Sequence, residues 1–139
     1  MDREIKFRGK VLVKGISNIK RGDWIYGGIT YDDNRLRIDT PYFGPILVEK
    51  ETVGQYTGID DKYGKEIYEG DIIKITYRNS KIILTKPLIA QIVWSEEHLA
   101  YILITTSVKD AFENLGDYLD YDIEVIGNEF DNPDLVVEE

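Results

Sequence analysis

Apolar and polar positions alternate with a period of two along most of this chain, which is the pattern of strands half-buried on one face. Ile5, Phe7, Val11 and Val13 alternate with polar neighbours over residues 4–14, with Gly9 as a bulge or bend. Trp24 to Tyr31 reads as a strand interrupted at Gly27-Gly28, and the turn Asp32-Asp33-Asn34 leads into a short extended piece from Arg35 to Ile38. Pro41 to Pro45 reads as irregular, and Ile46-Leu47-Val48 as a brief strand. The stretch Val53 to Tyr77 then organises the rest. It holds a strand closed by Gly58, a loop Asp60–Lys65 with Gly64 late, a second turn at Glu69-Gly70-Asp71, and a β-branched strand from Ile72 to Tyr77. Asp can bond its own backbone and Gly takes positive φ cheaply, so this is turn chemistry.

Beyond a turn at Arg78–Lys81, Ile82 to Thr85 is extended and Pro87 breaks it. Leu88 to Trp94 and Leu99 to Thr105 form a predicted hairpin around Ser95-Glu96-Glu97-His98, and Tyr121 to Ile126 is a last strand with Tyr121, Ile123 and Val125 on one face. One short helix is predicted near 107–116: Ser107 stands at an N-cap, Val108, Phe112, Leu115 and Leu119 have helical spacing, and Gly116 ends it. The expected fold is therefore mainly β, a small antiparallel barrel-like or meander core with N-terminal strands and one short helix. It is expected to form one domain over 1–139, with an N-terminal β part about 1–58, a barrel-like part about 59–127 and an acidic tail 128–139.

Composition changes this picture little. The chain of 139 residues has 42% hydrophobic and 31% charged residues, a globular balance. Ten Tyr and two Trp against four Phe suit half-buried sheet faces and binding surfaces. The absence of Cys excludes disulfides, thiol catalysis and thiolate metal sites, and fits a reducing compartment. No apolar run reaches the length of a membrane span, and the charged start MDREIKFRGK is unlike a signal peptide. A cytoplasmic protein with no membrane contact is expected.

Charge adds more. The net charge is −9 and unevenly spread: residues 1–22 carry seven basic side chains against Asp2 and Glu4, whereas residues 96–139 carry thirteen acids against Lys109. A basic head and an acidic tail can attract one another within or between chains, so a homo-oligomer is one expectation. Overall acidity argues against non-specific nucleic-acid binding and leaves two narrower roles open. One is single strands held on the aromatics Trp24, Tyr26, Tyr31, Tyr42, Tyr56 and Tyr77 beside Lys20, Arg21, Arg35 and Arg37. The other is acidic mimicry of DNA.

Candidate chemistry is thin. His98, the one histidine, has no partner nucleophile or ligand in its loop beside Glu96 and Glu97. Asp117, Asp120, Asp122 and Glu124 are the densest carboxylates, but their spacing does not match a calcium loop, and a solvated face explains them. Gly27-Gly28 lacks the helix and Lys of a phosphate-binding loop. No catalytic residue, metal-ligand set or cofactor is assigned, the binding residues stay unknown, and an enzyme is not expected.

Four runs do carry a resemblance. IKFRGK (5–10), GDWIYG (22–27), VGQYTGIDDKYGKEIYEGDIIK (53–74) and YDIEVIGNEFDNPDLV (121–136) together resemble the YopX family of phage and prophage proteins. The resemblance implies a mostly β, compact barrel-like fold and a phage or prophage origin. It implies no particular activity and no catalytic residue. The matching positions Gly54, Gln55, Tyr56, Gly58, Gly64, Glu69, Gly70, Asp71, Gly127 and Asn128 are mostly turn formers. The segment Arg78 to Asp117 carries little of the signature. The function expected is a phage-encoded accessory protein acting as a non-enzymatic interaction module on an unknown host or phage protein, with the nucleic-acid roles as the alternative.

Overall fold

The structure, a computed structural model, describes residues 4–13, 18–76, 88–96, 100–105, 112–114 and 122–136. The chain divides into two compact units, Met1–Gly58 and Ile59–Glu139, and each has a hydrophobic cluster of its own.

The first unit contains β1 (Phe7–Lys10), β2 (Trp24–Asp32), β3 (Arg35–Thr40), β4 (Gly44–Leu47) and the start of β5 (Gly54–Asp60). They pair antiparallel in the order β4-β3-β2-β1-β5. Register decides which side chains are buried. Ile29 lies opposite Ile38, and Ile38 opposite Ile46, so the alternating isoleucines share one face. Val11 bridges Val48 and completes the cluster with Ile25. Burying a side chain of this size contributes about 1.5–3 kcal/mol.

The predicted break in β2 is absent: the strand runs through Gly27-Gly28. A Cβ on Gly27 would lie 2.0 Å from the Asp39 carbonyl oxygen, so glycine is what lets β2 and β3 approach there. Gly9 makes no bulge either, and pairs in register with Ile25. At the β2–β3 turn Asp33 and Asn34 both take positive φ, 49° and 61°, the geometry of a type I′ hairpin. Pro45, expected in an irregular stretch, belongs to β4, the end strand, where a missing N–H costs no ladder bond.

The second unit contains the end of β5, then β6 (Glu66–Tyr68), β7 (Asp71–Thr76), β8 (Leu88–Ser95), β9 (Ala100–Thr105), β10 (Phe112–Asn114) and β11 (Asp122–Asn128). Its sheet has the order β10-β9-β8-β7-β11, all antiparallel. Ile73 and Ile75 on β7 face Ala90 on β8 and Ile123 on β11, and Ile67 and Ile92 join them. The fold is mostly β, as the alternation predicts. The sheet is a meander with β10 and β11 at its ends, not a closed barrel.

The predicted helix near 107–116 is corrected at its C-terminal part. Phe112, Glu113 and Asn114 form β10 and pair with Ile104, Leu103 and Ile102. A single short helical turn has a costly nucleus and one backbone hydrogen bond per added residue. The open edge of β9 offers the same segment a ladder already in place. Ser107 and Gly116 lie outside the described residues, as do His98, Tyr77 and the segments 78–81 and 82–85.

The acidic segment from Asn128 is folded back rather than extended. Asn128 closes β11, and its side-chain oxygen accepts the amides of Phe130 (3.0 Å) and Asp131 (2.9 Å). Asn132 Oδ1 accepts the Asn128 amide, and a 3₁₀ turn follows at Pro133–Val136. A Cβ on Gly127 would meet Asn132 Oδ1 at 2.5 Å and Leu135 Cδ1 at 3.0 Å, so a side chain at 127 would lift this segment off β11.

Candidate interaction surface

Two acids of the run 53–74, Asp61 and Asp71, are used up inside the fold. Asp61 is buried, and its Oδ1 accepts the amides of Tyr63 (2.8 Å) and Lys65 (2.9 Å). Its Oδ2 accepts the amide of Val125 (3.0 Å), 64 positions along the chain. Burial pushes this carboxyl up, but the amides of Val125, Lys65 and Tyr63, helped by the Lys65 charge, outweigh it and hold it below its ordinary 3.8. Asp71, at 1% exposure, accepts the Tyr68 amide at 2.8 Å across the turn at Gly70. That turn is tied on both sides: the Gly70 amide donates to the Ile92 carbonyl, and its carbonyl accepts from the Glu129 amide. Carboxylates spent on backbone amides in this way are poor candidates for acid–base chemistry, and their presence follows from the fold.

The densest carboxylate cluster is not brought together as a metal centre among the described residues. Asp117 and Asp120 lie outside them. Asp122 stands opposite Thr76 and Glu124 opposite Lys74, on the side of β11 away from Ile123 and Val125. Glu124 and Lys74 occupy facing register positions, and a strand-face carboxylate needs no ligand to explain it. Among the described residues no group of three metal-ligating side chains occurs.

The basic head meets aromatic rings. Arg8 and Lys10 share one face of β1 by strand alternation, and Lys6 stands just before the strand. Lys6 Nζ lies 5.6 Å from the Tyr56 ring centroid, the Arg8 guanidinium 4.6 Å from that of Trp24, and Lys10 Nζ 5.4 Å from the same ring. These are cation–π distances. Arg8 is 5% exposed and Tyr56 is buried. A ring face that a nucleobase would stack on is therefore already occupied at Trp24 and Tyr56. Of the other candidate cations, Lys20 and Arg21 belong to a turn in which Asp23 Oδ2 accepts the Lys20 amide. Arg35 and Arg37 stand opposite Asp32 and Thr30.

What the surface does present is tyrosine on fixed turns. Tyr42 is 91% exposed between β3 and β4, with Phe43 beside it. The turn is pinned by Thr40, whose hydroxyl accepts the Phe43 amide (3.1 Å) and donates to the Gly44 carbonyl (2.9 Å). Tyr31, 59% exposed, donates its hydroxyl to Asn34 Oδ1 at 2.8 Å beside the I′ turn. In the second unit Tyr63, 71% exposed, rides the loop held by Asp61, with Lys62 over its ring. Tyr63 and Phe43 were not singled out by sequence reasoning. The signal was an aromatic between turn formers, Asp61 and Gly64 in one case and Pro41 and Gly44 in the other.

The family described as YopX protein matches residues 13–137, nearly the whole chain. The chain belongs to the YopX family. No curated protein matches it. The crystal structure of protein EF1440 from Enterococcus faecalis is similar over 96% of the YopX chain and 99% of its own, with a TM-score of 0.51 and 21% identity. That likeness concerns the fold alone. In this YopX chain the turn formers Gly64, Gly70, Asp71, Gly127 and Asn128 all have structural duties. No helix among the described residues is long and apolar enough to cross a membrane.

Proposed function

We propose that this YopX chain is a non-enzymatic accessory protein of phage or prophage type that binds another protein in the bacterial cytoplasm. The observation that carries the reading is the set of exposed tyrosines on or beside pinned turns, Tyr42 and Tyr63 on theirs and Tyr31 at the end of β2. Tyr gives a large amphipathic contact area for two side-chain rotors, and a turn fixed beforehand has little entropy left to lose on binding. The use of Asp61 and Asp71 by backbone amides supports a binding role over catalysis.

Tagged protein retained on resin and exposed to host lysate, with and without nuclease, tests this. A stoichiometric protein retained after nuclease, and lost with Tyr42→Ser together with Phe43→Ser, is the expected result. Loss of all bound material on nuclease treatment would overturn the reading in favour of nucleic acid. The cations already seated on Trp24 and Tyr56 weigh against that outcome.

A further inference from the structure

The outer edge of β11 is closed by a loop from its own unit. In the sheet order β10-β9-β8-β7-β11, β11 is an end strand among the described strands. The Ile123 carbonyl and the Val125 amide find their partners outside β7, so by alternation the backbone groups of these two residues lie on the outer edge of β11. Such groups are a template for an added strand. Here one group of each is taken: the Ile123 carbonyl accepts the Lys62 amide at 2.9 Å, and the Val125 amide donates to Asp61 Oδ2 at 3.0 Å. The loop imitates one rung of a ladder without being a strand.

We propose that β11 is a strand-addition surface and that the Asp61–Lys62 loop is a removable plug on it. This rests on the reading of the chain as a protein-binding module and names the segment it would accept. Side chains decide the occupant. Ile123 and Val125 point to the core, and Asp122 and Glu124 line the other side. A second copy of β11 would set carboxylates against carboxylates, which is unfavourable across a strand pair. The complementary occupant is an extended segment of a partner protein with Lys or Arg at alternate positions, at the spacing of about 6.7 Å that alternate strand residues share. The unit as a whole attracts such a segment: Ile59–Glu139 carries seven basic residues against eighteen acidic, a net charge of −11.

The test uses two changes and a synthetic probe. Asp61→Asn keeps Oδ1 for the amides of Tyr63 and Lys65 but turns an N–H toward Val125, so it should release the plug and leave the turn. A blocked peptide of alternating Lys and Val is expected to bind this variant at least about tenfold more tightly than the unaltered protein, the scale of one recovered hydrogen bond. Adding Val125→Pro, which removes the edge donor and is tolerated on an end strand, should return binding to the unaltered level. Equal binding by the three proteins, or equal binding of an alternating Glu and Val peptide, overturns the proposal.

A measurement on the unaltered protein guards against a variant that fails to fold. The Val125 amide should exchange with deuterium at least about a hundredfold faster than the Ile73 amide, since the plug opens without global unfolding. Exchange of both at one rate would overturn the proposal. Neither experiment touches Tyr42, so failure here leaves the lysate result for that turn standing, and the reverse holds.

Discussion

The two units solve the same problem with different materials. Met1–Gly58 is close to neutral, with ten basic residues against eight acidic, and it holds itself by register and close approach. Its isoleucines stack across β2, β3 and β4, Gly27 lets two backbones meet, and its hairpin closes with two residues. Ile59–Glu139 is strongly acidic, and among its described residues the buried Asp61 and Asp71 help hold it together. Asp61 and Asp71 staple turns that hydrophobic burial alone would not fix. The difference teaches that an acidic sequence need not be acidic on its surface in proportion. Some of its charge is a fastening, stabilised by amide donors at 2.8–3.0 Å.

The sharpest way to break the comparison is to cut each core separately. Ile73→Ala should cost about 2–5 kcal/mol, and Ile38→Ala a similar amount, because both side chains are fully buried. Hydrogen exchange read residue by residue should show the loss first among amides of Ile59–Glu139 for the former change and of Met1–Gly58 for the latter. A uniform loss in both cases would show that the two clusters are not separate supports.

A smaller effect isolates the fastening. Asp61 has its folded carboxyl held below the ordinary 3.8. A depressed carboxyl adds stability that is complete above the unfolded value and is lost as pH falls through the folded one. Urea unfolding of the unaltered protein should therefore weaken below about pH 4 more steeply than that of Asp61→Asn, and the gap between them should shrink toward acid. No acid-dependent gap is expected from any single residue of the first unit's core. The smallest effect concerns the I′ turn. Asp33→Gly relieves a positive φ of 49° and leaves Asn34 to accept the Tyr31 hydroxyl, and it should raise stability by about 0.5 kcal/mol, read as a small upward shift in Tm.

Most of the strands were legible, because period-two alternation at Trp24–Tyr31, Ile72–Thr76, Leu88–Trp94 and Tyr121–Ile126 is a local property, whereas their order in the sheets was not. The turn roles of Gly64, Gly70 and Asn128 were legible for the same reason. What escaped was whatever depends on distance along the chain. Asp61 reads as an ordinary turn acid, and nothing near it announces an amide at Val125. Phe112 reads as helical because its neighbours have helical spacing, while the edge of β9 that captures it is set elsewhere. Lys6, Arg8 and Lys10 read as part of a basic head, while the rings they meet, Tyr56 and Trp24, are brought to them by pairing of β1 with β5 and β2. Tyr42 and Tyr63 were visible as aromatics, but exposure is decided by which way a turn faces.

The pairing of β7 with β11 has a consequence in time. A chain emerges from the ribosome at about 5–20 residues per second. In the first unit each of β2, β3 and β4 finds its neighbour within a few residues of being made. Thr76, the last residue of β7, must wait for Asp122, the first of β11 and its partner in the ladder. For some seconds during each synthesis, the flank of β7 that β11 will cover is an open template in a crowded cell. The hazard lies in being made rather than in being finished.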